Sequence, residues 1–324
     1  MTLRYDPEYY KVLEPLLPFL AKRLPLTVDN IVATRDARNG GMAAMINQLP
    51  DATDVEQTFY YGAAPDSHEV PILAIIKKGA EATAAPGPAI IHIHGGGMVL
   101  GTAEMYARPL RSFTSETGIP CFTVDYRLAP ENNGSTLVDD CYAALLWLHE
   151  NVAKFNVDPA RIGVYGQSAG GGLAAGVALM ARDRKLQPPL AKQILVYPMI
   201  DDRNQIANEA IEPFAFWKTA DNITAWECVL GAEKSGKADA DVSPYVAPAR
   251  SASLTGLPPT YLDVGTLDIF RDEVINYGVR LLAANVETEL HVYPGIPHAF
   301  EVIAPKISAT KQAEANRLKA MTSF

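Results

Sequence analysis

Four short runs with few charges, residues 89–94, 120–125, 161–165 and 193–197, alternate with helix-spaced segments at 137–155 and 170–182. No other feature constrains the chain as much. Strands apolar on both sides need covering on both faces, and this strand–helix rhythm is that of a parallel sheet between helical layers. Ahead of it, β-like runs at 57–61 and 70–77 flank a turn containing Pro65 and Asp66, which predicts an antiparallel start. Behind it, strand-like runs at 260–264 and 287–293 enclose a helix-like run at 272–284, and 305–324 has a helical pattern. Residues 7–22 read as helical pieces broken by Pro15 and Pro18, each of which deletes an interior hydrogen bond. Residues 27–54 are polar, contain Gly40-Gly41 and read as an irregular arm or part of a lid. Between 201 and 246 the strand rhythm stops, and Phe214, Phe216, Trp217 and Trp226 sit among helix-like runs. There is no internal repeat and no linker dividing two autonomous units. The pattern predicts one α/β domain with an inserted or overlying helical lid.

Composition narrows the function. With 324 residues and 48% hydrophobic content the chain has ample material for a full core. Lys and Arg number 28 against 37 Asp and Glu, a formal charge of −9, and no basic cluster stands out. That disfavours a nucleic-acid binder, whose affinity comes from counterions released around grouped cations. Cys121, Cys141 and Cys228 give no disulfide framework and read as small buried hydrophobes in a reducing compartment. The opening MTLRYDPEYY lacks a basic-then-apolar leader, and no uninterrupted apolar stretch of about 18 residues occurs. A cytoplasmic protein without a membrane span is expected.

Gly166-Gln167-Ser168-Ala169-Gly170 stands between the strand RIGVY and a helix opened by further glycines. A nucleophile elbow needs this context, because the strand-to-helix reversal is so tight that small residues must flank the serine. It also sets the serine oxygen beside a helix amino end, where unpaired N–H groups favour negative charge. A serine N-cap on a closely packed helix is the plainer reading, but it leaves His94-Gly95-Gly96-Gly97, after the strand AIIHI, unexplained. Three consecutive glycines suit backbone that must aim N–H groups at a ligand. An acyl-transfer site needs two or three donors about 3 Å from its oxyanion. Gly95 and Gly96 supply two candidates and Ala169 a third.

Six histidines are available for general-base work. His68 falls in a turn, His149 on a charged helix, and His92 and His291 inside strands, while His94 is better placed to fix the glycine loop. His298, in the loop GIPHAF just after the last strand, can reach the carboxyl edge of the sheet. For the acid, Asp268 lies nearest the end of the strand YLDVG, where the loops of an open α/β sheet collect. Asp272 is the alternative, though with Glu273 it begins a helix and reads as a first-turn group. The favoured order Ser168, Asp268, His298 is that of α/β-hydrolases.

With these residues in place, the chain resembles the hormone-sensitive-lipase-like branch of α/β-hydrolase esterases. The likeness rests on HGGGMVLG (94–101), DYRLAPE (125–131), GQSAGGGLAA (166–175), SPYVAPAR (243–250), LDIFRDE (267–273) and GIPHAF (295–300), in family order. It implies an eight-stranded, mostly parallel sheet with the second strand antiparallel and helices on both faces. It also implies a helical cap made of residues 1–54 and 201–245 over a core of 55–200 and 246–324, and the same triad and oxyanion donors. By the resemblance His94 is structural, Asp125 and Arg127 brace the site from behind, and Tyr126 packs beneath the glycine loop; a plain surface ion pair is the other reading of Arg127. The chain departs from the family where Gln167 replaces the usual Asp, and where Asn132-Asn133-Gly134-Ser135-Thr136 replaces a proline- and phenylalanine-containing segment.

The expected reaction is hydrolysis of small to medium, short-acyl carboxylic esters through an acyl-enzyme, with no cofactor and no metal. Met98, Met199, Ile200, Phe214, Phe216 and Trp217 are the candidate pocket walls. The partner is a small-molecule ester, and a homodimer stays open. An amidase or peptidase with the same triad, and a non-catalytic small-molecule receptor on the same fold, are the competing readings.

Overall fold

The computed structural model describes residues 3–20, 22, 24–79 and 85–324, so that residue 21 of the expected 7–22 helical stretch lies outside it. Its strands are β1 (Val55–Ala63), β2 (Glu69–Lys77), β3 (Gly87–Ile93), β4 (Cys121–Val124), β5 (Val157–Gln167), β6 (Lys192–Val196), β7 (Thr260–Gly265) and β8 (Thr288–Tyr293). They form one eight-stranded sheet in the order β1-β2-β4-β3-β5-β6-β7-β8. β2 runs antiparallel to both β1 and β4, and every other pairing is parallel. β4 is buried throughout, as β3 and β6 are beyond their first residues, which is why they read as near-continuous apolar runs.

The helices are α1 (Pro7–Leu13), α2 (Leu17–Leu20), α3 (Ile31–Ile46), α4 (Ala107–Thr117), α5 (Thr136–Glu150), α6 (Ala169–Asp183), α7 (Thr219–Leu230), α8 (Arg271–Ala283), α9 (Phe300–Ile303) and α10 (Ser308–Met321). A 3₁₀ turn over Glu14–Leu16 joins α1 to α2 at Pro15. α6, buried from Ala169 to Ala181, packs on β5 and β6 and follows the candidate nucleophile directly. Among the described residues no helix is long and apolar enough to cross a membrane, and the three cysteines are buried and free.

One expectation is corrected here. The 27–54 stretch holds α3, a 16-residue helix. Only Ile31 and Ile46 of α3 are buried, and Gly40-Gly41 interrupts the pattern, so no apolar stripe betrays it. Tertiary ties hold it. Arg35 donates through Nε to the Val99 carbonyl, through Nη2 to the Ala129 carbonyl, and through both terminal nitrogens to Glu131. Asn39 accepts from the Gly101 N–H at 2.9 Å. The N-terminal segments also meet residues 201–230: Tyr5 donates to the Phe214 carbonyl, Asp221 accepts from the Leu26 N–H, and Thr224 donates to the Leu26 carbonyl.

Candidate active site

The reversal from β5 into α6 is as tight as the sequence requires. Ser168 sits at φ 57°, ψ −123°, a conformation that costs a non-glycine residue roughly 1–3 kcal/mol and persists only where its surroundings enforce it. Its N–H donates to the Val196 carbonyl at 2.9 Å, and its carbonyl accepts from Gly172 and Met199. A side chain at Gly170 would stand 2.0 Å from the Ile93 carbonyl, so α6 can lie this close to β3 only through glycine.

His298 and Asp268 arrive from the loops after β8 and β7. Those loops are stitched together: Leu267 N–H donates to Ile296, Thr266 N–H to Tyr293, and Gly295 N–H to the Thr266 hydroxyl. His298 Nε2 is 2.9 Å from Ser168 Oγ and its Nδ1 is 2.7 Å from Asp268 Oδ2. The carboxylate can only accept, so Nδ1 carries the proton and Nε2 is left to accept from the serine. Asp268 is fully buried, and its second oxygen accepts from the Phe270 N–H at 2.9 Å. The imidazole is flanked edge-on by Tyr197 at 4.5 Å and Phe270 at 5.2 Å between ring centroids. Asp272, the alternative acid, is instead paired with its neighbour Arg271.

The glycine loop faces this group, the Gly95 backbone passing beside Ser168. Neither the Gly95 nor the Gly96 N–H meets an acceptor among the described residues, and the Ala169 N–H, first in α6, has no intrahelical partner. Gly96 holds φ +123°, and a Cβ there would lie 2.2 Å from the Leu100 carbonyl oxygen. His94 does not reach Ser168. Its Nδ1 donates to the Gly95 carbonyl, and its ring is stacked on Tyr126 at 4.2 Å, whose hydroxyl donates to the His94 carbonyl. Behind them Asp125 accepts from the Ala103 N–H. Arg127 forks onto buried Asp140 of α5 and reaches Asp66 with its outer nitrogens, so it is an anchor between sheet and helix and not a plain surface pair.

Ser168, His298 and the glycines open into a cavity of about 1190 Å³. Of the six wall candidates, Phe216 and Trp217 line it. The other four do not. Met98, Met199 and Ile200 are fully buried beneath the loops, Met199 pressed against α6 at Gly172 and Ile200 tied to Glu273. Phe214 packs edge-on against Tyr5 and borders a separate cavity of about 510 Å³. Wall residues that sequence reasoning missed include Met42 and Met45 of α3, Tyr106, and Tyr165 and Gln167 of β5. The β5 pair was findable, since two polar-tipped residues spaced by two on a buried strand share one face. Glu301 and Arg317 also border the cavity. Arg317 is held by Asp263 and Glu301, and the Tyr197 hydroxyl donates to Glu301.

Comparison with known proteins agrees in kind. A profile of the α/β-hydrolase fold matches residues 90–302. Carboxylesterase NlhH of Mycobacterium tuberculosis is 31% identical over 319 residues, covering 95% of each chain. Esterase LipI of the same organism is 33% identical over 241 residues, 73% of each chain. Among solved structures, a bacterial heroin esterase superposes with a TM-score of 0.88 at 37% identity, covering 98% of this chain and 97% of its own.

Proposed function

Because the chain belongs to the α/β-hydrolase fold family and is related to bacterial esterases, we propose that it is a serine carboxylesterase of the hormone-sensitive-lipase-like branch. Its substrates are small to medium esters with short acyl chains. The observation that carries this is one continuous contact line: Asp268 to His298 Nδ1 at 2.7 Å, and His298 Nε2 to Ser168 Oγ at 2.9 Å.

His298 takes the Ser168 proton as the oxygen attacks the ester carbonyl, and Asp268 steadies the imidazolium that forms. The oxyanion accepts from the N–H groups of Gly95, Gly96 and Ala169, which are already aimed and cost little reorganisation. His298 then protonates the departing alcohol and activates water for deacylation. Residues 1–54 and 201–245 act as a helical cap over this cavity. Trp217, whose ring lies against Gly97 next to the oxyanion donors, limits the acyl side, and the rest of the cavity accommodates a bulkier alcohol part.

The test is a series of p-nitrophenyl esters of rising chain length. Turnover is expected to peak at short chains and to fall by at least about 10⁴-fold in Ser168→Ala. An active Ser168→Ala enzyme removes the serine from its role, a maximum at long chains removes the short-acyl preference, and faster cleavage of matched amides than of esters makes the enzyme an amidase.

A further inference from the structure

The replacement of the family's aspartate by Gln167 has a structural counterpart. In the sheet, His92 of β3 lies opposite Thr123 of β4 on one side and Tyr165 of β5 on the other. His92 Nδ1 meets the Thr123 hydroxyl at 2.8 Å, His92 Nε2 meets Gln167 Oε1 at 2.9 Å, and Gln167 Nε2 donates to the Tyr165 oxygen. The amide oxygen can only accept, so His92 is protonated on Nε2 and its Nδ1 accepts from Thr123. The hydrogen bonds therefore all point one way, from Thr123 through His92 and Gln167 to Tyr165. At the end of the line the Tyr165 oxygen is an acceptor, and its own proton has no acceptor among the described residues. Tyr165 is 8% exposed and borders the cavity that holds Ser168 and His298. Burial pushes its ionisation well above the ordinary tyrosine value, so the hydroxyl keeps its proton.

A carboxylate at position 167 would reverse this. It accepts only, so it would take hydrogen bonds from both His92 and Tyr165 and turn the phenol proton away from the cavity. Glutamine gives one and takes one, which frees that proton. A buried donor without a partner is costly, and an oxygen on a bound ligand removes the cost. The charged groups that act on Tyr165 are Arg317, Glu301 and Asp263, and the guanidinium is already engaged by both carboxylates, so its immediate surroundings favour a neutral acceptor over an anion.

We infer that Tyr165, freed by Gln167, is a specificity-determining donor that selects esters carrying a second, neutral oxygen acceptor such as an ether, ketone or second ester group. The inference rests on the esterase reading of the same site and adds to it the substrate class.

The experiment uses pairs of esters in which an ether oxygen replaces one methylene: p-nitrophenyl methoxyacetate against butanoate, 3-methoxypropanoate against pentanoate, and 2-methoxyethyl acetate against butyl acetate. For each pair the preference is the ratio of kcat/KM values, measured at pH 8 for the wild type, Tyr165→Phe and Gln167→Glu. Intrinsic reactivity cancels when one pair is compared across enzymes. Titration with a p-nitrophenyl phosphonate counts the competent sites in each preparation. The preference is expected to fall about tenfold in at least one pair with Tyr165→Phe, and by a similar factor with Gln167→Glu, which retains the phenol but recruits its proton. A merely structural role slows both members of a pair alike and leaves the ratio where it was. Ratios within twofold of wild type in all pairs overturn the inference, as does a Gln167→Glu enzyme that keeps a preference lost in Tyr165→Phe. Wild type inactive on every ester sinks the esterase reading and this one with it, whereas activity with unmoved ratios sinks only this one.

Discussion

At the scale of single residues, His92 shows how a side chain away from the chemistry affects the whole. It is fully buried, satisfied by Thr123 and Gln167, and burial pushes its imidazole pKa down to about 3. An unfolded histidine titrates near 6.5, so between those values the unfolded chain binds a proton that the native state refuses. Its contribution is complete above about 6.5 and is lost as pH falls toward 3. Between pH 7.0 and 5.5 one such group removes about 1.3 kcal/mol from the unfolding free energy. His92→Gln, compared with wild type by urea unfolding at those two pH values, should shrink the loss by about that amount, even though its absolute stability drops. An undiminished pH dependence would mean that His92 is protonated in the native state. The same residue illustrates legibility. Its place on a strand named it a core histidine, but its partners come from β4 and β5, and only the register reveals them. The failed wall residues miss for a related reason: Met98 turns into the core at φ +65°, which apolar character alone does not indicate.

Whole elements were legible to the degree that they bury a face. β3, β4 and β6 are apolar runs since helices cover both sides of the sheet, and α6 is buried along nearly all its length. α3 escaped because it is pinned by polar ties at its edges and carries two glycines in its middle. Those glycines and Gly176 of α6 should respond oppositely to the same substitution. At Gly40 and Gly41 a Cβ meets nothing within 4 Å, and neither needs a positive φ. Alanine there should stabilise the helix by roughly 0.5–1 kcal/mol per site through lower unfolded-state entropy. For a chain of this length the double variant should melt about 2 °C higher. At Gly176 a Cβ would lie 2.0 Å from the Tyr245 carbonyl oxygen, so α6 must shift away from that loop. Gly176→Ala should cost about 1–3 kcal/mol by overpacking. Calorimetry on both variants checks the pair, and a lower melting temperature for the α3 double variant would show those glycines to be structurally required.

On the scale of the molecule, the proposed cap and the sheet are separate in sequence yet border one cavity, so the site depends on how firmly they are joined. Arg35 is a principal clasp. It spans from α3 to the loop after the glycine motif and to the loop after β4, and its side chain is only 17% exposed. Its planar fork matches the Glu131 carboxylate while Nε and Nη2 serve two backbone carbonyls, a geometry lysine cannot reproduce. Removing it leaves the Val99 and Ala129 carbonyls without these donors, at about 1–3 kcal/mol for each that stays buried and unmet. The core strands do not depend on those contacts, so the loss should be local. In Arg35→Ala, hydrogen exchange over residues 31–46 should quicken well before exchange over β3, β5 and β6. Because Val99 closes the turn that begins at Gly96, kcat/KM on a short ester should also fall, by about tenfold. Arg35→Lys should restore charge but little of the protection, which separates the fork from simple electrostatics. Unchanged exchange over 31–46 in the alanine variant would mean that α3 is held by its contacts to α9 and by the bond from the Gly101 N–H to its own Asn39, and that the clasp at Glu131 is incidental.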